Sequence, residues 1–310
     1  MLSICIPHYN FVNEKLFTEL HHQCFALSIE FEILVIDDAS ETENKIYLSS
    51  TISKFCRVIF LDENVGRSKI RNLLAQKAKY EWLLFLDGDS AISNGNFISF
   101  YLDNLKADII SGGRTYHNQE PNDQYFLHWN YGFKIESNAY AQFHSNNFMI
   151  KKHVFDKLKF DESITNYGYE DVVFGLEAKK IGLHLININN KVLHTGLKTN
   201  ADFLIDIKLA LLNLCKVEAI RKDLQIEKEV NLGKHVFCIY VTDGGANGKI
   251  QIRDAESRNV LQKLGVKLDD IILFCQFIQG DFCRVAHGSF ICILTRKTTS
   301  WPCMEAAPFF

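Results

Sequence analysis

No apolar run in the 310-residue chain approaches the roughly 18 to 20 residues a membrane-spanning helix needs, the longest candidates being broken by Gln276 or Gly288. That absence excludes an integral membrane protein of the helical kind and leaves room for peripheral membrane association. No CxxC pair occurs among the nine cysteines, and the amino terminus runs straight into a strand pattern instead of a basic, apolar signal segment. Reduced thiols in the cytoplasm are expected, with the inner face of the membrane as a further place where the protein could act. An excess of positive charge is also missing: 34 basic residues face 37 acidic ones, for a net charge of -3, and no nucleic acid is expected as partner. There is no internal repeat. What the chain does have is a 47% hydrophobic content, enough to bury the core of one large domain or two smaller ones.

The stretch Leu83 to Ser90, LLFLDGDS, sets four apolar residues before two aspartates separated by one glycine. An apolar run of this length has the pattern of a strand buried on both faces of a parallel sheet, and Asp-Gly-Asp marks its carboxyl end. Two carboxylates held there repel each other unless a cation sits between them, which points to a divalent metal such as magnesium or manganese. A polar turn after a strand accounts for Asp-Gly alone equally well.

The preceding chain repeats one unit. Leu2 to Pro7 reads as a strand stopped by Pro7 and followed by His8, Tyr9 and Asn10 in a loop; Glu14 to Leu27 reads as a helix. Phe31 to Ile36 is a second strand ending in Asp37-Asp38, Arg57 to Leu61 a third, and Arg67 to Lys79 a basic helix after the Asn64-Val65-Gly66 turn. Alternating strands and short connections predict a parallel sheet with right-handed crossovers, and a ligand crevice where Tyr9-Asn10, Asp37-Asp38 and Asp87-Asp89 converge. Further on, Asp108 to Gly113 and Phe143 to Ile150 read as strands, and Lys151 to Leu158 as a short helix. The aromatic-rich connection Pro121 to Glu136 has no settled pattern. Gly168-Tyr169-Glu170-Asp171 opens a helix to about Lys180, its carboxylates in the first turn where the helix dipole favours them. Leu183 to Ile188 and Lys191 to Leu193 read as two short strands joined by Asn189-Asn190, with His194 following. Phe203 to Ile220 has the apolar spacing of a packing helix.

Taken in order, SICIPHYN, VIDDAS, ENVGRSKIRN, FLDGDS, NNFMIKKHVF, GYEDVVFG and VLHTG resemble the motifs of family-2 inverting glycosyltransferases with the GT-A fold, over about residues 1 to 215. The resemblance implies an α/β fold: a GT-A, Rossmann-like, mixed but mainly parallel sheet flanked by helices. It implies a nucleotide-sugar donor, with UDP the usual nucleotide, a carbohydrate or lipid-linked acceptor, and Mn2+ or Mg2+ as cofactor. By position, Asp89 would contact the metal, Asp87 would lie nearer the ribose, and His194 would complete the shell around metal or diphosphate. Asp38 would accept a hydrogen bond from the base, Tyr9 would lie against base or ribose, and Pro7 would shape their loop. Arg71, with Gly66 and Asn72, would close over the nucleotide, while Lys69, Lys77 and Lys79 form a solvated face. Asp171 would be the base that deprotonates the acceptor hydroxyl, Glu170 would support it or touch acceptor, and Asn147 and Tyr169 would line the sugar pocket.

The sequence changes character near Asn231. The stretch His235 to Val266, within about residues 233 to 285, resembles part of the PIG-L/LmbE-type zinc deacetylases through the Thr242-Asp243-Gly244 turn, Arg253, Glu256 and Leu264-Gly265-Val266. The His-Pro-Asp-Asp-Glu segment that should precede its Val236 to Val241 strand is missing, and His235 and His287 have no carboxylate cluster beside them. A degenerate or truncated α/β segment is expected over 231 to 294, after a domain over 1 to 230, with an aperiodic tail over 295 to 310. The five cysteines from Cys238 to Cys303 are too widely separated to suggest a metal cluster. Two other functions compete with transfer. A nucleotidyltransferase also uses paired aspartates on a Rossmann-like sheet, but His8-Tyr9-Asn10 lacks the Gly-rich basic loop that holds a triphosphate. A nucleotide-sugar binder without catalysis is the other.

Overall fold

The computed structural model describes residues 1–138, 143–224 and 226, together with the short strands Thr242–Gly244 and Lys249–Gln251. The chain divides into two units, Met1–Glu229 and Val230–Phe310.

The first unit begins with β1 (Leu2–His8), α1 (Glu14–Ala26), β2 (Phe31–Asp37), α2 (Thr42–Ser50), β3 (Arg57–Phe60), α3 (Arg67–Lys77) and β4 (Trp82–Leu86). It continues with β5 (Ser90–Ala91), α4 (Phe97–Leu102), β6 (Ile109–Ser111), β7 (Arg114–Thr115), α5 (Phe126–Lys134), β8 (Asn147–Lys151) and α6 (Lys152–Leu158), then α7 (Glu170–Lys180), β9 (Leu185–Asn187), β10 (Val192–His194) and α8 (Asn200–Ile220). The main sheet has the order β3-β2-β1-β4-β8-β6-β9. All its neighbours are parallel except β8, which runs antiparallel to both β4 and β6, so the sheet is mixed as expected.

Strand alternation sorts the core into two layers, because successive side chains leave a strand on opposite faces. Leu2, Ile4 and Ile6 of β1 with Leu84 and Leu86 of β4 pack against Leu16, Phe17 and Leu20 of α1, Leu48 of α2 and Phe97 and Tyr101 of α4. The intervening Cys5, Leu83 and Phe85 face the other side and meet Ile70 and Leu74 of α3, Phe155 of α6 and Phe174 of α7. Helix α1 shows the sequence cause locally: Leu16, Phe17, Leu20 and Cys24 fall on one stripe, and the Asn13 side chain caps the first turn by accepting the Leu16 N–H.

The order 3-2-1-4 places the topological switch point between β1 and β4, since the chain leaves β1 toward β2 and returns on the other side as β4. Their pairing runs only from Leu2↔Trp82 to Cys5↔Phe85, so the last residues of β1 pair with β2 alone. Pro7 does not stop the strand. It pairs with Ile36 inside β1, at a place where no β4 residue is opposite to require its missing N–H.

Several segments differ from their patterns for identifiable reasons. The strand expected from Phe143 starts only at Asn147, because Phe143 packs on Phe148 and Phe174 from outside the sheet. The unsettled Pro121 to Glu136 connection contains α5, whose Trp129 indole donates to the His117 carbonyl at 2.7 Å. The two strands around Asn189-Asn190 are not partners: β9 extends the main sheet beside β6, whereas β10 enters a second sheet of order β5-β10-β7. Thr242–Gly244 is not a turn but a strand paired antiparallel with Lys249–Gln251. The expected Val236 to Val241 strand, the deacetylase-like positions Arg253, Glu256 and Leu264 to Val266, and the tail after 295 lie outside the described residues. Among the described residues no helix is long and apolar enough to cross a membrane.

The phenylalanine layer provides a direct stability test. Phe148 is fully buried, its ring 4.8 Å from Phe85, 4.9 Å from Phe143 and 5.9 Å from Phe174. Phe148→Ala is expected to lower unfolding free energy by about 3–5 kcal/mol, read from the midpoint of urea denaturation.

Candidate active site

Three strand ends meet at the switch point, and short polar contacts tie them together. Asp37, at the end of β2, accepts from or shares a proton with His8 Nδ1 at 2.9 Å, joining β2 to the end of β1. The next residue, Asp38, turns its carboxylate to the loop before α3: Oδ1 accepts the Val65 N–H at 2.7 Å and Oδ2 the Gly66 N–H at 3.2 Å. Gly66 has a φ of +82°, a conformation that favours glycine, and this presents its N–H to Asp38. Burial raises the Asp38 carboxyl above its ordinary range even though both N–H groups work the other way. Each oxygen keeps a further lone pair for a ligand donor. Tyr9, directly after β1, is 56% exposed and free to lie against a flat ring; Asn10 Oδ1 accepts the Glu41 N–H.

A chain of ions crosses below these loops. Asp87 Oδ1 accepts from Arg71 at 2.8 Å and Oδ2 from Arg114 at 3.0 Å. The Arg71 side chain is only 3% exposed and also reaches Glu170, 3.7 Å away, while Arg67 approaches Glu170 from the solvent side at 3.6 Å. Arg71 is therefore a buried cation holding the end of β4 to the start of α7, not a side chain that extends outward from α3. Asn72 faces away as well: its amide donates to the Phe160 carbonyl and to Glu162, and its oxygen accepts the Phe160 N–H. Lys69, Lys77 and Lys79 are exposed, as their pattern implied.

The second sheet brings Asp89 and His194 together. Strand β5, immediately after Asp89, pairs with β10 through His194↔Ser90 and Leu193↔Ala91, and the Asp89 carbonyl accepts both the Thr195 N–H and its hydroxyl. His194 Nδ1 consequently lies 3.4 Å from Asp89 Oδ2, an ion-pair separation outside hydrogen-bond geometry. Gly196 is required here, since a Cβ on it would fall 2.8 Å from Asp89 Oδ2. Burial pushes the Asp89 carboxyl up, but His194, Arg114 and Arg67 outweigh it and hold the group far below the usual carboxylate range. Among the described residues Asp89 Oδ1 and both ring nitrogens of His194 are buried without a hydrogen-bond partner. Orphaned polar atoms of this kind fit a divalent cation, with a carboxylate oxygen and an imidazole nitrogen as its donors. Among the described residues no group of three His, Cys, Asp or Glu side chains is gathered for a metal.

Around His194 stand residues that its motif did not disclose. Its ring lies 5.1 Å from both Tyr116 and His128. His128 Nδ1 accepts the Lys198 N–H at 2.9 Å, which fixes its proton on Nε2, and burial brings its pKa down to about 4. Tyr116 donates to Glu136, and Glu136 pairs with Arg114 at 3.5 Å. Burial tends to raise Glu136, but Arg114 prevails and lowers it.

On α7 the backbone makes a tight entry. Gly168 and Tyr169 both have positive φ, +90° and +71°, so Tyr169 takes a left-handed conformation that a non-glycine residue adopts only under constraint. Glu170 is buried, and burial raises its carboxyl despite the two arginines. Asp171 Oδ1 accepts the Val172 N–H at 2.8 Å and Oδ2 lies 3.6 Å from His144 Nδ1. Burial works to raise Asp171, but His144, the Val172 N–H and Arg71 outweigh it, and the group is lowered and ionised. Asn147 has no exposed surface: Tyr101 donates to its oxygen at 2.6 Å, and its amide donates to the Gly113 and Asn190 carbonyls. It braces the floor of the site instead of facing a ligand.

The structure thus connects Asp38, Arg71, Asp87 and Glu170 through direct contacts and their common elements, and Asp89 with His194 by a second route. Arg114, His128, Glu136 and His144 stand around these groups from outside the quoted motifs, and Arg67 lies within ENVGRSKIRN but was given no role there. Arg71 carries a testable load. Arg71→Met is expected to cost about 3 kcal/mol of stability at pH 7 by urea denaturation, as removing one partner of a buried ion pair does. The deficit should shrink as pH falls, because a Glu170 raised further in the folded state takes up a proton on folding, so stability rises with acidity.

Residues 3–165 match the family described as Glycosyl transferase family 2. An uncharacterized glycosyltransferase of Haemophilus influenzae is 31% identical over 130 residues, 37% of this chain and 42% of that protein. A teichoic acid poly(glycerol phosphate) polymerase of Staphylococcus epidermidis is 27% identical over 97 residues, 30% of this chain and 13% of that protein. The matched stretches span less than half of either curated relative. In solved structures, the mannosyltransferase PcManGT of Pyrobaculum calidifontis, in complex with GDP-Man and Mn2+, aligns with a TM-score of 0.52 at 15% identity, covering 74% of this chain and 70% of that one. The family match takes in β1 to α6 with the Asp37-Asp38 and Asp87-Gly88-Asp89 stretches, and stops before Asp171 and His194. With that match over more than half its length, on a mixed sheet flanked by helices, the chain belongs to glycosyl transferase family 2 and has the GT-A fold.

Proposed function

We propose that the chain transfers a sugar from a nucleotide-sugar donor, with UDP as the preferred nucleotide, to a hydroxyl of a carbohydrate or lipid-linked acceptor, inverting the anomeric centre. The observation that carries this is the pair of buried His194 and half-buried Asp89, whose ring nitrogens and Oδ1 are buried with no hydrogen-bond partner among the described residues, beside an ion chain that runs from Asp87 through Arg71 to the first turn of α7. Support for a metal comes also from a structure of the same fold that holds Mn2+ with its GDP-Man donor.

On this reading the nucleotide lies over the carboxyl ends of β1 and β2. Asp38 accepts from the base while its other lone pairs keep Gly66 in place, Tyr9 packs on base or ribose, and Pro7 directs β1 toward that loop. Asp87, oriented by Arg71 and Arg114, presents its remaining lone pairs toward the ribose. Asp89 and His194 would hold Mn2+ or Mg2+, which supplies positive charge to the departing diphosphate. Asp171 takes the proton from the acceptor hydroxyl as the acceptor oxygen bonds to the anomeric carbon and the bond to diphosphate breaks. Tyr169 and Glu170, at the constrained entry to α7, set the direction of Asp171 and border the sugar.

The test is a donor panel of UDP- and GDP-sugars with MnCl2. A bound donor at 100 times its dissociation constant should stabilise the protein by about 2.7 kcal/mol, and chelator should remove the shift. Asp171→Asn should lower turnover by ~10² to 10⁴ while donor affinity is retained. Unchanged turnover in that variant would refute the base assignment; binding by wild type with no turnover would favour a non-catalytic binder, and release of pyrophosphate a nucleotidyltransferase.

A further inference from the structure

His144 belongs to none of the motifs that point to the site, yet its Nδ1 lies 3.6 Å from Asp171 Oδ2. It lies in the segment Phe143 to Asn146 that precedes β8, and that segment is anchored at three points. The Phe143 ring stacks on Phe174 of α7 at 5.1 Å and meets Phe148 at 4.9 Å. Gly175 allows this approach, since a Cβ there would fall 2.9 Å from the Phe143 Cβ. At the other end, the Asn146 carbonyl accepts the Asp87 N–H at 3.0 Å. One short segment therefore spans from Asp87 to the second turn of α7, and His144 is held in its middle.

The geometry separates two jobs of the Asp171 carboxylate. Oδ1 is engaged by the Val172 N–H, so its rotation is limited, and Oδ2 faces His144 Nδ1 at 3.6 Å. That separation is longer than a hydrogen bond and within the range of an ion pair. Both side chains keep about a quarter of their surface exposed, 26% for His144 and 24% for Asp171, so the pair borders solvent and is reachable by a ligand. Among the described residues His144 Nε2 is buried without a hydrogen-bond partner, and His144 helps line a cleft with Gly112, Arg114, Glu136 and Lys191.

Resting on the reading of Asp171 as the base, we propose that His144 is its positioning residue: a protonated imidazole that fixes the carboxylate's orientation and keeps it ready to accept the acceptor's proton. Among the described residues the charged groups around His144 are Asp171, Glu136 and Arg114, with Lys191 lining the same cleft. Burial disfavours the imidazolium, but the contact with Asp171 and the charge of Glu136 overcome both burial and the repulsion from Arg114, raising His144. The same contact lowers Asp171. When Asp171 takes the acceptor's proton the ion pair is reduced to an ion beside a neutral acid, so the imidazolium favours return of that proton to water and resets the base.

Histidine NMR on the full-length protein tests the pair without any substrate. The His144 ring signal is identified by its loss in His144→Gln, and its titration midpoint is followed in wild type and Asp171→Asn. Removing the carboxylate should lower the midpoint by about 1 to 3 pH units, the size of an opposite charge within ion-pair range. An unchanged midpoint overturns the proposal even if Asp171→Asn is inactive, in which case the base assignment stands alone. In donor hydrolysis with Mn2+, His144→Gln should lower kcat with donor KM unchanged and move the acid limb of the rate profile to higher pH, because loss of a neighbouring cation raises Asp171. Equal losses in kcat and donor affinity with no movement of that limb would mark His144 as merely structural and overturn the proposal. An Asp171→Asn protein with full turnover would remove the base itself, and with it the role of His144.

Discussion

One buried guanidinium sets the layout of this protein. Arg71 leaves a helix on one side of the sheet, takes Asp87 from the end of β4 and Glu170 from the start of α7, and is almost wholly withdrawn from water. A buried cation with two carboxylate partners cannot shift either without leaving charge unpaired, and an unpaired buried charge costs several kcal/mol. The consequence is positional: Asp171, one residue after Glu170, is held at the side of the site where the β4 aspartates end. Arg114 and Glu136 extend the same logic to the other flank.

The second constraint is the three-stranded sheet β5-β10-β7. Its strands have two or three residues each, too few to be stable alone, and they gain their place from the main sheet through Asn147 and Asn190. What it accomplishes is to set the end of β10 against the residue that follows Asp89, so that a histidine more than a hundred residues away faces that carboxylate. The fold thus uses a large sheet to place the loops of Tyr9, Asp38 and Asp87 and a small one to bring His194 to Asp89.

Much of this was legible in the sequence where local pattern and buried environment agree. The apolar runs of β1, β2 and β4, each bounded by polar turns, gave their strands within a residue or two, and the resemblance of ordered motifs gave the fold. Pro7 was misread because the rule that proline ends a strand assumes a hydrogen-bonding neighbour on both sides, and β1 has lost one by that point. The partition of β9 and β10 between two sheets was hidden because pairing is nonlocal: Asn-Asn signals a turn but not the partner of the strand that follows. Arg71 was read as closing over the nucleotide, since helix periodicity cannot reveal that two acids lie under it. His144 and His128 were invisible for a related reason. Each acquires its chemistry from a neighbour distant in sequence, Asp171 for one and the Lys198 backbone for the other.

The account stands or falls on whether a single carboxylate directs one displacement at the anomeric carbon. Proton NMR of the first product formed from an α-linked UDP-sugar in Mn2+, recorded before mutarotation, reads this directly. A β-configured anomeric signal appearing first is the predicted result. An α-configured first product would mean two displacements or front-face attack, and would contradict the role given to Asp171.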